Sequence, residues 1–159
     1  MPDPNRISAT LAMAIALAAP LTAQACDMPG NLDAIRSDLI AGINGQRAGK
    51  RLPPLAPSAQ LTEAAQKQAC DNAARNTMSH TGSDGSKIGT RISRTGYDWV
   101  KANENVGYGF KDPGAMLNGW MGSDGHRKNI LARGTQDVGI GVAVGSDGNR
   151  YWAMVSAGS

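Results

Sequence analysis

The chain has 159 residues and a formal net charge of +3, enough for one domain around a single core and too few for two. No Lys/Arg run or basic helix accompanies the mild positive charge, which argues against a nucleic-acid partner, since such binders carry a basic stripe interleaved with aromatics. Attraction to anionic surface polymers stays open beside the simpler reading of a solvated basic surface.

Residues 1–25 read as a secretion signal. Arg6 precedes the apolar run from Leu11 to Ala19, Pro20 breaks it, and Ala23-Gln24-Ala25 supplies an A-x-A cleavage site. The run is too short for a transmembrane span, which takes about 20 apolar residues. Cleavage places Cys26 at the new N-terminus, as in lipoproteins, but Ala23 stands where a lipoprotein signal carries leucine. Soluble secretion is therefore preferred to a lipid anchor at Cys26.

The remainder divides into an N-terminal segment, residues 26–35, and one domain, residues 36–159. Leu32, Ile35, Leu39 and Ile43 recur at steps of three and four, predicting a first helix that ends near Gly49, and Pro53-Pro54 stops any continuation. Ser58 caps a second helix over 58–76, ending near Met78, whose many alanines permit close approach to its neighbours. Leu61, Ala65, Ala69 and Asn72 share one side of it, whereas Cys70 falls on the opposite, polar side with Glu63 and Lys67. The chain has two cysteines, and in a secreted protein Cys26 and Cys70 are expected to pair, with the N-terminal segment laid across that polar face. Two free thiols are the alternative.

A third, shorter helix is expected from Ser83 to Ser93, with Asp84 near its start, Ile88 and Ile92 one turn apart, and Gly96 closing it. Asn103-Glu104-Asn105-Val106-Gly107-Tyr108-Gly109 reads as a loop, Glu104 being a solvated acid ahead of glycines that admit close backbone approach. Pro113 opens a fourth helix with Met116, Leu117 and Trp120 as its apolar face. The period then changes to two. Val138, Ile140, Val142 and Val144 alternate with glycine and alanine, Ser146-Asp147-Gly148-Asn149 makes a turn, and Tyr151 to Val155 resumes, a β-hairpin. Helices first and a hairpin last predict an α+β domain in which helices cover an antiparallel sheet.

Two polar residues are left unexplained by this scaffold, His80 just after the second helix and His126 in Ser123-Asp124-Gly125-His126. Each alone is as ordinary in a polar turn as in a site. A Ser/His hydrolase would want a G-x-S-x-G elbow, which is absent, and Cys70 in mid-helix does not suit a Cys/His peptidase.

Taken in order, Asn44-x-x-Arg47, Leu52-Pro53-Pro54-Leu55, His80, Glu104-Asn105-Val106-Gly107, Trp120, Ser123-x-Gly125-His126-Arg127-x-Asn129-Ile130-Leu131 and Val138-Gly139-Ile140-Gly141-Val142 resemble the bacterial branch of the CAP superfamily. That group is named after cysteine-rich secretory proteins, antigen 5 and pathogenesis-related proteins, and the resemblance runs from about residue 36 to 157. It implies a three-layer α-β-α sandwich with a central antiparallel sheet and a cleft built from His80, Glu104, Asn105 and His126, with Ser123 at its rim. In the eukaryotic branch a second glutamate sits three residues after the tryptophan; here Ser123 takes that place.

Two readings of the cleft follow. His80, His126 and Glu104 make a partial ligand set for Zn²⁺ or another divalent cation, whose bound water would attack an ester or amide. Alternatively the cleft is metal-free, and Glu104 pairs with one imidazole. The missing second carboxylate and the absence of H-E-x-x-H favour a monomeric, non-enzymatic binding module for a small molecule, lipid or cell-envelope fragment over a metal-assisted extracellular hydrolase.

Overall fold

The structure, a computed structural model, describes residues 26–159; the secretion signal expected over 1–25 lies outside the described residues. In chain order the elements are α1 (Leu32–Ala48), β1 (Ala56–Pro57), α2 (Ala59–Ala74), α3 (Ile88–Arg94), β2 (Lys101–Tyr108), α4 (Pro113–Gly122), α5 (Asp124–Ile130), β3 (Asp137–Val144) and β4 (Arg150–Gly158). The strands lie in the order β1-β3-β4-β2, with β3–β4 and β4–β2 antiparallel. The sheet is nonetheless mixed, because β1 adds two residues parallel to β3. Helices α1, α4 and α5 cover one face, and α2 and α3 the other. This is the α-β-α sandwich that the motif order implied, with the C-terminal hairpin at its centre.

The two-residue period of β3 decides which helix packs where. Val138, Ile140 and Val142 join Trp152 and Met154 of β4 under α1 and α4. Between them Gly139 and Gly141 face α2, and a Cβ built on either would collide with the α2 backbone, at Leu61–Thr62 and at Ala65–Gln66 respectively. The alanine-rich face of α2, with Ala64, Ala65, Ala69 and Ala73, therefore comes down on β3 at these two glycines and packs beside them on Ala143, Ala153 and Val155. Gly141→Ala is expected to cost about 1–3 kcal/mol through overpacking against a backbone that cannot step aside. Urea denaturation measures it, and a variant as stable as the parent would refute the close approach.

Asn44 and Arg47, the first motif, act as internal splints. Asn44 exchanges two hydrogen bonds with Leu55, at 2.8 and 3.0 Å. Arg47, only 1% exposed, donates to the carbonyls of Pro53, Ile130 and Ala132, each at 2.9 Å, and so fixes the C-terminal end of α5. Burial lowers the pKa of its guanidinium. Cys26 and Cys70 form the expected disulfide, with Cα atoms 5.4 Å apart.

Three expectations need correction. The helix over 83–93 starts only at Ile88, because Asp84 turns back on the Ser86 amide (2.9 Å) and Gly85 takes a φ of +77°, closing residues 82–86 into a turn. Helix α2 stops at Ala74, short of Met78, where Asn76 adopts a φ of +46° and the Thr77 amide reaches the Asn72 carbonyl (3.0 Å). The segment read as a loop at 103–109 is most of strand β2, and the stretch after Ser123 is a helix of its own, α5.

Candidate functional site

Strand β2 is one of the two outer strands of the sheet, and it pairs with β4 so that Glu104 lies opposite Val155 and Asn105 opposite Met154. Alternation sends these two neighbours to opposite faces, Glu104 towards α3 and Asn105 towards α5. An outer strand leaves a row of carbonyls to be satisfied. Here side chains do it: Asn129 of α5 donates to the Glu104 carbonyl (3.0 Å), and the Trp120 indole of α4 donates to that of Val106 (2.9 Å). The strand edge is thus sealed by the helices that carry the rest of the site.

Glu104 is not a solvated acid. Its side chain is 3% exposed, and its two oxygens have separate partners. Oε2 accepts from Nη2 of Arg91 at 2.5 Å, and Oε1 lies 2.8 Å from Nδ1 of His80. Arg91, 4% exposed, also donates to the carbonyls of Ser86 (2.9 Å) and His80 (3.3 Å), so one guanidinium holds the carboxylate and the loop that bears the histidine. A carboxylate facing a guanidinium accepts, so the Nδ1 of His80 is the donor and, in the neutral ring, Nε2 carries the lone pair. That ring is 56% exposed. The arrangement presents an oriented imidazole to solvent over a buried ion pair.

His126 enters from the opposite side. Its helix is tied to β2 by Asn105, whose Nδ2 donates to the His126 carbonyl (3.0 Å) and whose Oδ1 accepts from Asn129 (2.8 Å). Loss of hydration lowers the pKa of the His126 imidazole, and the charge of His80 lowers it further. The neutral ring is favoured on folding. Stability attached to it is complete above the ordinary value of 6.5 and is lost as the pH falls through that value and then through the lower folded one. The melting temperature of His126→Gln should therefore fall less steeply below pH 6.5 than that of the parent; parallel curves would show that the ring is not desolvated. Ser123 stands at the α4–α5 junction, where its carbonyl accepts from the Arg127 amide (2.8 Å). Its hydroxyl makes no hydrogen bond to His80, Glu104 or His126.

Residues 40–156 match the family model described as CAP, the cysteine-rich secretory protein family. The chain belongs to the CAP family. Over 113 residues the CAP domain is 28% identical to the protein YkwD of Bacillus subtilis, spanning 71% of this chain and 44% of YkwD. It is 33% identical over 67 residues to the membrane protein YlbC of the same organism, which takes in 42% of this chain and 19% of YlbC. The chain thus spans less than half the length of these curated relatives. Among solved structures it is similar to an extracellular protein containing an SCP domain from Bacillus anthracis, with a TM-score of 0.72, 26% identity and coverage of 80% of this chain and 41% of that one. An outer surface protein of Borrelia burgdorferi superposes with a TM-score of 0.74 over 84% of this chain and 98% of that one; at 18% identity it speaks for the fold alone. Among the described residues no helix is long and apolar enough to cross a membrane.

Among the described residues of this CAP domain no three His, Cys, Asp or Glu side chains are grouped to hold a metal ion. Of the expected ligands His80, His126 and Glu104, Glu104 spends one oxygen on Arg91 and the other on His80. It orients an imidazole instead of ligating. Two imidazoles remain, short of the three protein ligands of open zinc sites. Sequence reasoning missed Arg91 and gave Asn129 no role. Arg91 follows Ile88 by three residues and so shares the apolar face of α3, and an arginine on such a face announces a buried carboxylate.

Proposed function

We propose that this CAP domain acts outside the cell as a binding module, taking a small polar ligand at a cleft formed around the exposed His80 imidazole, with His126 contributing from α5. The observation that carries the reading is the full commitment of Glu104 to Arg91 and His80. With both Glu104 oxygens engaged, the groups it leaves for a ligand are imidazole nitrogens. Neutral imidazole accepts hydrogen bonds, which suits hydroxyl or amino groups such as those of sugars, lipid headgroups and cell-envelope fragments. The extracellular SCP protein it resembles supports the location.

Imidazole ¹⁵N spectra recorded with a digest of cell-wall material should show saturable shifts at His80 Nε2 that His80→Ala removes. Hydrolysis of peptide or ester substrates that His80→Ala abolishes would overturn the reading in favour of an enzyme. Equimolar Zn²⁺ is expected to leave the melting temperature unchanged. A rise abolished by His126→Ala would assign the cleft to a cation.

A further inference from the structure

The β3–β4 turn and the connection from β2 to α4 enclose a cavity of about 270 Å³, lined by Gly109, Phe110 and Lys111 on one side and by Gly148, Asn149 and Arg150 on the other. None of His80, Glu104 and His126 is on its wall. Three hydrogen bonds stitch the two sides together. The Gly109 amide donates to the Arg150 carbonyl (3.0 Å), the Trp152 indole donates to the Phe110 carbonyl (3.0 Å), and Nη1 of Arg150 donates to the Lys111 carbonyl. The last bond fixes the guanidinium, and among the described residues nothing accepts from its Nε–H or Nη2. Neither nitrogen is a buried orphan, so solvent reaches both. Lys111 is exposed.

Charge sets this cavity apart. On the walls of two larger cavities beside α2 each cation has its carboxylate: Arg36 pairs with Asp33 (3.4 Å), Lys67 with Glu63 (2.7 Å), Arg91 with Glu104 (2.5 Å) and Arg94 with Asp84 (2.6 Å). Here no acid lines the wall, and neither Lys111 nor Arg150 forms an ion pair with a described residue. The two acids nearest in sequence are turned to other donors. Asp112 caps α4 by accepting from the Ala115 amide (2.8 Å), and Asp147 accepts from the Asn149 amide (2.9 Å) and from the hydroxyls of Tyr108 (3.0 Å) and Tyr151 (2.9 Å).

Two positive charges therefore border one small polar space. A phosphate monoester brings a charge of about −1.5 to −2 and three acceptor oxygens. Arginine offers a planar fork for two such oxygens, and lysine a point charge for the third. A carboxylate would leave one cation unmatched. The volume lies just below the range of small-molecule pockets, roughly 300–1,000 Å³, and suits a phosphate on a short polyol.

We infer that this cavity is a second binding site, independent of the histidine cleft, for the phosphate group of a monoester held by Arg150 and Lys111. Glycerol 3-phosphate is the probe, with acetate and glycerol as controls. In ¹⁵N spectra of the whole protein it should shift the Arg150 Nε–H and the Lys111 amide saturably, leave the His80 imidazole in place, and bind more weakly as salt is added. Arg150→Gln should weaken binding about tenfold, the worth of one hydrogen bond to a charged group. Lys111→Gln changes only an exposed side chain and keeps the carbonyl that holds Arg150, so it decides if the first variant does not fold. Vesicles of phosphatidylcholine with and without phosphatidic acid separate the sources. Sedimentation with the acidic vesicles that Lys111→Gln weakens assigns the phosphate to a lipid headgroup, and its absence beside binding of the probe assigns it to a soluble ester.

No saturable shift overturns the proposal, as does binding that both substitutions leave unchanged. Equal shifts from acetate would show an adventitious ion only, and equal shifts from glycerol would show that the phosphate is not what is recognised.

Discussion

Arg91→Ala is expected to destabilise the domain by about 3–5 kcal/mol, the cost of stranding one member of a buried ion pair. Glu104 would be left with His80 as its single side-chain partner, the His80 carbonyl would lose its donor, and the Ser86 carbonyl would keep only the Gly82 amide. Urea denaturation gives the magnitude. The double variant Arg91→Met with Glu104→Gln separates the two contributions, since an amide needs no counter-charge. If the loss comes from the stranded carboxylate, the double variant is more stable than Arg91→Met alone, with a coupling in the range of about 0.5–3 kcal/mol expected for contacting residues. A loss below about 1 kcal/mol for Arg91→Ala would mean that the pair is solvated, and the oriented His80 would lose its physical basis.

The same ion pair explains why part of the site was legible in the sequence and part was not. Helices α1, α2 and α4 and the hairpin follow from apolar periods, because each buries a stripe that its own residues define. Strand β2 buries Glu104 and Asn105, so it has no apolar alternation to read. These residues become strand residues only when Arg91, Asn129 and β4 supply their partners. Helix α5 is hidden for a related reason. Ile130 is its one buried residue, and the helix is held from outside by Arg47 and Asn105. Asp84 misled because an aspartate before a helix and an aspartate closing its own turn make the same local signal. The metal-free reading has Glu104 pair with one imidazole, and the sequence does not say that it is His80. Nothing in the local sequence of either residue fixes which oxygen meets which ring.

Reducing the disulfide is expected to cost about 4 kcal/mol on the chain-entropy model, since it closes a loop with a sequence separation of 44. For a domain of this size that is a fall in melting temperature of about 10 °C or more. Part of the effect should also appear in the folded state, because of where the bridge sits. Beyond the two residues paired with β1, the outer edge of β3 is completed by side chains: Arg36 donates to the Ile140 carbonyl (3.0 Å), and Gln66 both accepts from the Val142 amide (3.1 Å) and donates to its carbonyl (2.8 Å). The last bond along that edge is made by the N-terminal segment itself, the Val144 amide donating to the Asp27 carbonyl at 2.8 Å. Asp27 is held there by the neighbouring Cys26, bridged to Cys70 one turn beyond Gln66 on α2. Reduction should therefore speed hydrogen exchange at the Val144 amide well before global unfolding, while the Val142 amide, held by Gln66, stays protected. A melting temperature insensitive to reductant would remove the entropic argument. Equal protection of Val144 in both states would show that the N-terminal segment holds its place on the sheet without the bridge.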